Sequence, residues 1–81
     1  MKFTQKIFLY KVNEDNTVTF YVKKGDNEKP DYFRSNARLP LLLDLSKMEE
    51  NTELLATIGV YYQKGKGLAL QIVEVAWYDG V

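Results

Sequence analysis

Between Lys29 and Arg38 the chain interleaves cations with rings, setting Lys29, Pro30, Tyr32, Phe33, Arg34 and Arg38 inside one short segment. Cations neutralise phosphates and aromatic faces accept stacked bases, so this mixture suits single-stranded nucleic acid. The rings have a second use, since Tyr32 and Phe33 can also fold inward as anchors over a core. A further basic point is the run Gln63-Lys64-Gly65-Lys66-Gly67. Its glycines can project Lys64 and Lys66 toward a phosphate chain, or the lysines can simply keep a turn hydrated. Tyr21 and Tyr61, read as outward positions of alternating segments, offer either a stacking platform or the cover for a neighbouring subunit.

Catalytic chemistry finds little to work with. Acid-base and nucleophilic catalysis near neutral pH most often recruit His or Cys, and the sequence has neither. Glu49, Glu50 and Glu53 cluster in a polar stretch where water keeps them ionised. Lys64-Gly65-Lys66-Gly67 lacks the combination of strand, glycine-rich loop and following helix whose N-terminus would hold a phosphate. Without Cys or His there is no ordinary zinc ligand set. The expectation is a binding protein with no catalytic residue, metal or cofactor.

The elements that must position these residues follow from hydrophobic period and turn chemistry. Gln5–Val12 is rich in β-branched, aromatic and aliphatic types and runs into the turn cluster Asn13-Glu14-Asp15-Asn16. Val18, Phe20 and Val22 then alternate with Thr17, Thr19, Tyr21 and Lys23, which predicts a half-buried strand. Lys24–Asn36 carries Gly, Pro, Asp and Asn and reads as loop. Arg38–Leu45 has leucines on both faces, so strand and short helix both fit; strand is preferred because Pro40 would remove a helical hydrogen bond. Ser46–Glu53 allows one helical turn with a capping-box pattern. Leu54–Gln63 alternates, a glycine-bearing loop follows, and Leu68 to about Trp77 completes the set. In that last segment the apolar phase shifts from Leu68, Leu70 and Ile72 to Val73, Val75 and Trp77, which predicts a bulge near Ile72 or a strand passing between layers.

Five strands with at most one short helical turn predict an all-β fold, a small Greek-key barrel of OB type in a single domain over residues 1–81. Its core should gather Phe20, Val22, Ile58, Val60 and Leu70. At 81 residues and 46% apolar content the chain can bury one core. A staple-free core this small gains from association, so a homodimer through Val73, Val75 and Trp77 is expected. No apolar run approaches the roughly 18 residues of a membrane span. The lack of Cys and of an apolar leader suits a cytoplasmic protein. Net charge is +0, yet basic residues dominate through Leu43 and acidic ones from Asp44 onward. That split permits a basic face on a neutral molecule.

The order Leu39-Pro40-Leu41-Leu42-Leu43, a polar loop, Leu55-Ala56-Thr57-Ile58-Gly59-Val60-Tyr61-Tyr62, the loop Lys64-Gly65-Lys66-Gly67 and a terminal strand resembles the gene-five single-stranded DNA-binding proteins of filamentous phages. Lys29-Pro30-Asp31-Tyr32 is similar to that family's Lys-Pro-Tyr stretch with one residue inserted. The resemblance implies an OB-fold dimer that coats single strands with little sequence preference, with Tyr32 stacking on a base and the tip around Lys66 near the strand. The chain departs from the family in a shorter interval between Tyr32 and Pro40, in Lys66 where an aromatic is usual, and in Asp44 where a base is usual. The expected ligand is single-stranded DNA or RNA. The alternative is a small protein-binding module, such as a phage-encoded inhibitor or accessory factor acting on a host protein.

Overall fold

A computed structural model describes residues 1–23, 25 and 29–77. The elements run β1 (Lys2–Val12), β2 (Thr17–Val22), β3 (Asp31–Ala37), α1 (Leu39–Ser46), β4 (Glu53–Gln63) and β5 (Gly67–Trp77). The strands close into a barrel in the order β1-β2-β3-β5-β4. All neighbours are antiparallel except β3 and β5, which run parallel and share two residue pairs, Asn36↔Gln71 and Ala37↔Ile72. This is the expected all-β, five-stranded OB-like barrel, and it carries one short helix.

Two hairpin turns follow from local chemistry. At the β1–β2 turn Asn16 takes a positive φ of 66°, and the Asp15 carboxylate accepts from both Thr17 N (3.2 Å) and Thr17 Oγ1 (2.5 Å). At the β4–β5 turn Gly65 and Gly67 take φ of 84° and 85°, a region open to glycine at no steric cost. Lys66 N closes that turn on Gln63 O at 3.0 Å.

The middle of the chain departs from expectation. Asp31–Ala37 is the third strand, where local composition suggested a loop, and Arg38–Leu45 is helical from Leu39, where a strand was expected. Pro40 sits in the first turn of α1, where its missing N–H has no carbonyl to reach, so it costs the helix nothing there. The leucines then divide at helical spacing: Leu42 and Leu45 enter the core, Leu41 packs against it, and Leu39 and Leu43 face out. Asp31–Ala37 is extended because every residue from Asp31 to Asn36 pairs with β2. Long-range pairing of this kind outweighs weak local propensity.

Two bulges set which side chains reach the core. Opposite β2, Tyr10 is the extra residue of β1, between the pairs Leu9↔Phe20 and Lys11↔Thr19. It shifts the phase so that Ile7, Leu9 and then Val12 point inward. On β5 the pairs Thr57↔Glu74 and Ile58↔Ile72 leave Val73 as the extra residue, at the place the apolar phase predicts. Past it Val75 returns to the core side, so Val73 and Val75 do not share the outward face expected of them. Trp77 ends β5, and its side chain lies outside the described residues.

The core holds Ile7, Leu9, Val18, Phe20, Leu42, Leu45, Leu54, Ala56, Ile58 and Ile72, with Val22 and Leu70 packed against it. Val60 is half-buried and outside this cluster, contrary to expectation. The ladder between β1 and β4 ends at Lys2↔Gly59, while β4 and β5 stay paired out to Gln63↔Gly67. Val60 N still donates to Met1 O at 2.8 Å, and beyond it residues 61–69 form a two-stranded arm that runs past the barrel wall. Ile58→Asp should abolish the native far-UV circular dichroism, since an unpaired carboxylate in a dry core costs several kcal/mol. Val60→Asp, half-buried at the root of the arm, should keep the spectrum and lower Tm by a few degrees. Equal behaviour of the two variants would contradict this boundary between barrel and arm.

Candidate nucleic-acid interface

The outward positions of β1, β2 and β3 carry an aromatic row. Register places Phe8 opposite Tyr21 and Tyr21 opposite Tyr32. The Phe8 and Tyr21 rings stack at 5.2 Å and 15°, and Tyr21 meets Tyr32 at 5.3 Å with a 42° tilt. Tyr10, on the same outward face as Phe8 two residues before it, meets Tyr32 edge-on at 5.5 Å and 83°. Contacts of this geometry contribute about 0.5–1.5 kcal/mol each beyond the area they bury. Lys23 Nζ lies 4.6 Å from the Phe8 ring centre and covers that end of the row.

Within the row, exposure decides which ring is free to accept a base. Tyr21 is 8% exposed and Tyr32 is 55% exposed. Tyr21 is therefore the support and Tyr32 the open platform, with exposed Tyr10 as a side wall. The Tyr21 hydroxyl donates to Asn51 Oδ1 at 2.7 Å. Asn51 stands at a positive φ of 71° in the α1–β4 loop, and its backbone N–H donates to Leu9 O at 2.6 Å. The loop, the row and β1 are thus tied at one point.

Cations flank the platform. Arg34 follows Tyr32 on the same face of β3, and Thr19 pairs with both Arg34 and Lys11 across β2. Two carboxylates border this side, since a shallow depression is shared by Lys11, Glu14, Asp15 and Arg34. The hydroxyl hydrogen bond from Thr17 holds the Asp15 carboxyl below its usual range, and the Arg34 charge acts in the same direction. The face is basic in patches and not continuously so.

The expected site residues separate into groups. Tyr32, Arg34 and Lys29 are exposed on or beside the β3 platform. Phe33 points the other way, stacks on Phe20 at 5.6 Å and 25°, and lines an apolar depression of about 210 Å³ with Phe3, Ile58 and Leu70. It is an anchor at the barrel mouth. Tyr21 lies on the expected outward face but is covered, so it cannot itself receive a base. Tyr61 belongs to the arm, and its hydroxyl accepts from Asn36 Nδ2 of β3. It does not join Tyr21 in one platform. Lys64 and Lys66 are exposed at the arm's tip, and Arg38 is exposed just before α1. Val73 is 40% exposed, while Val75 packs on the core. Phe8, Tyr10, Lys11 and Lys23 were not anticipated from the sequence. The available signal was the pair Phe8 and Tyr10, two apart in a strand-like run and so on one face, but the strand beside that face is set by long-range pairing.

Among the described residues no group of three or more His, Cys, Asp or Glu side chains could hold a metal ion, and no helix is long and apolar enough to cross a membrane. Comparison with protein-family models, with curated proteins and with solved structures found no match.

Burial first, and then the charges of Tyr32 and Glu50, push the Tyr21 phenol above its ordinary value of 10.0. An acid whose pKa is raised by folding stabilises the fold fully below its unfolded value and loses that contribution as pH climbs through the folded one. Urea melts should therefore show wild-type stability falling above about pH 10 more steeply than that of Tyr21→Phe. At neutral pH the variant should be less stable by roughly 1 kcal/mol, the worth of the lost bond to Asn51. Parallel pH profiles of the two proteins would show that Tyr21 is not the group responsible.

Proposed function

We propose that this domain binds single-stranded DNA or RNA with little sequence preference and catalyses no reaction, in the manner of the phage gene-five proteins it resembles. The observation that carries the reading is the exposed Tyr32 ring, packed on one side against Tyr21 of the Tyr21–Phe8 stack, with Arg34 next to it on the same face of β3. A ring already packed on one side loses little freedom when a base covers the other. In five-stranded barrels of this type the β2–β3 face and the β1–β2 and β4–β5 loops are the usual ligand surface. Here that face holds the aromatic row, and the β4–β5 loop is the lysine-tipped arm. A lack of cysteine suits action in a reducing cytoplasm.

Homodimerisation belongs to the same proposal. Tyr62 and Leu68 are cross-strand partners on the arm and are 74% and 78% exposed. Apolar side chains this open on a two-stranded ribbon favour cover by another chain. A second reading, a module for a host protein, is favoured by Leu39 and Leu43, which stand one turn apart and exposed on α1. Amphipathic helix faces of this kind suit protein partners.

Fluorescence anisotropy with a labelled poly-pyrimidine strand tests the main reading. Contacts from Lys29, Arg34 and Lys66 imply a slope near −2 in log affinity against log salt, at roughly −0.7 per phosphate. Tyr32→Ala should weaken binding by roughly 1–3 kcal/mol and leave that slope unchanged, since a ring releases no counterion. Lys66→Ala should flatten the slope and spare the fold. Absence of binding at low salt with tens of micromolar protein would overturn the reading in favour of a protein partner. Sedimentation gives the dimer its own test: a 9.4 kDa species at high micromolar concentration would remove it.

A further inference from the structure

We infer that the open mouth of the barrel seats the arm of a second copy, the two chains capping each other about a two-fold axis. This rests on the self-association proposed above and names the surface that accepts the Tyr62–Leu68 pair. One end of the barrel is plugged by its own chain, since α1 joins the end of β3 to the start of β4 and sets Leu42 and Leu45 into the core. Among the described residues α1 is the single helix, so no helix covers the other end. There, where β1 and β3 begin and β2 ends, Phe3, Val22, Phe33 and Leu70 surround an apolar depression of about 210 Å³ floored by Phe20 and Ile58. The pairs Phe3↔Ile58 and Phe20↔Phe33 put these rings on the inner side of the wall. Phe3 and Phe33 are nevertheless 43% and 40% exposed.

The arm continues that inner face. The pairs Ile58↔Ile72, Val60↔Leu70 and Tyr62↔Leu68 follow one another on one side of the β4–β5 ribbon. Buried floor, half-buried root and exposed pair therefore form one apolar strip, in which Leu70 lines the mouth and Tyr62 and Leu68 stand 74% and 78% exposed beyond it. The opposite side of the ribbon is engaged, since the Tyr61 hydroxyl accepts from Asn36 Nδ2.

Size, symmetry and area select a second copy as the occupant. The depression is smaller than the roughly 300 Å³ at which small-molecule pockets begin, and it has room for one ring. A projecting pair and a recess on one face of one chain meet the demand of a two-fold contact, in which each copy gives and receives the same residues. Tyr62, Leu68, Phe3 and Phe33 together expose on the order of 500 Å², so covering them on both copies reaches the roughly 1,000 Å² of a specific interface. Tyr62 of each copy enters the partner's mouth between Phe3 and Phe33 of the partner subunit. Tyr32, on the outward side of β3, stays open, so the pair of chains presents two platforms.

The test mixes ¹³C,¹⁵N-labelled and unlabelled chain at high micromolar concentration and records isotope-filtered nuclear Overhauser effects, which report contacts between copies alone. Such contacts are expected from the Tyr62 ring and the Leu68 methyls to the rings of Phe3 and Phe33. Leu68→Ser should weaken the dimer in sedimentation by about a hundredfold, roughly tenfold for each copy's lost contact. The Tm of the dilute variant should stay level, because Leu68 is exposed within one chain. Contacts confined to Val73, or to Leu39 and Leu43, would overturn the mouth as the seat and leave self-association standing, as would an undiminished dimer in Leu68→Ser. A 9.4 kDa species with no contact between copies would remove both.

Discussion

Two residue pairs, Asn36↔Gln71 and Ala37↔Ile72, turn a five-stranded sheet into a barrel. Because β3 and β5 run parallel there, the chain cannot join them by a hairpin and must cross over between them. α1 and β4 make that crossing. The helix uses its length to set Leu42 and Leu45 into the core, and β4 then closes on β1 from Lys2↔Gly59 to Phe8↔Glu53. The shortness of the parallel contact leaves residues 31–35 and 67–70 without mutual pairs, and from those two stretches Phe33 and Leu70 line the open mouth.

How much of this could be read from the residues depends on whether the decisive contacts are local. β2 was legible because Val18, Phe20 and Val22 alternate and meet one face of the core. β4 and β5 were legible from alternation plus Gly65 and Gly67, and the shift of phase at Ile72–Val73 located the bulge. β3 was hidden, because Asp31, Ser35 and Asn36 have loop chemistry and become a strand through pairing with β2, which their own types do not announce. α1 was hidden for the opposite reason: Pro40 argues against a helix interior and for a helix start, and position within the element cannot be known until its boundary is known. Val60 was placed in the core by a sound alternation rule that does not reveal where β4 leaves the barrel.

The candidate site shows the same division. Tyr32 and Arg34 were legible as a cation–aromatic mixture, and both are exposed on one face of β3. Tyr32 and Phe33 were read together, yet neighbours on a strand face opposite ways, so one is the platform and the other the mouth anchor. Phe8 and Tyr10 escaped notice because a strand reading of β1 gives no account of which partner strand lies beside it. Their value comes from register, which puts Phe8, Tyr21 and Tyr32 in one row.

The row also limits what one subunit can do. Phe8 is covered by Lys23 and Tyr21 by its neighbours, so the exposed stacking surface is Tyr32 with the edge of Tyr10. One or two bases at roughly 1–3 kcal/mol each, together with a few phosphates on a molecule of zero net charge, make a small footprint. Glu14 and Asp15 beside Lys11 and Arg34 weaken any long-range attraction, so binding depends on contact geometry more than on field. On the single-strand reading, affinity is then gained most readily by repetition. A second subunit on the same strand binds at the effective concentration set by the first, and the added avidity needs no further contact per subunit. That logic gives the arm a double use: its Lys64 and Lys66 end meets the strand, and the Tyr62–Leu68 pair offers apolar surface to a neighbouring copy. On that reading, a chain too small to hold a polyanion tightly by itself is suited to holding it as one of many.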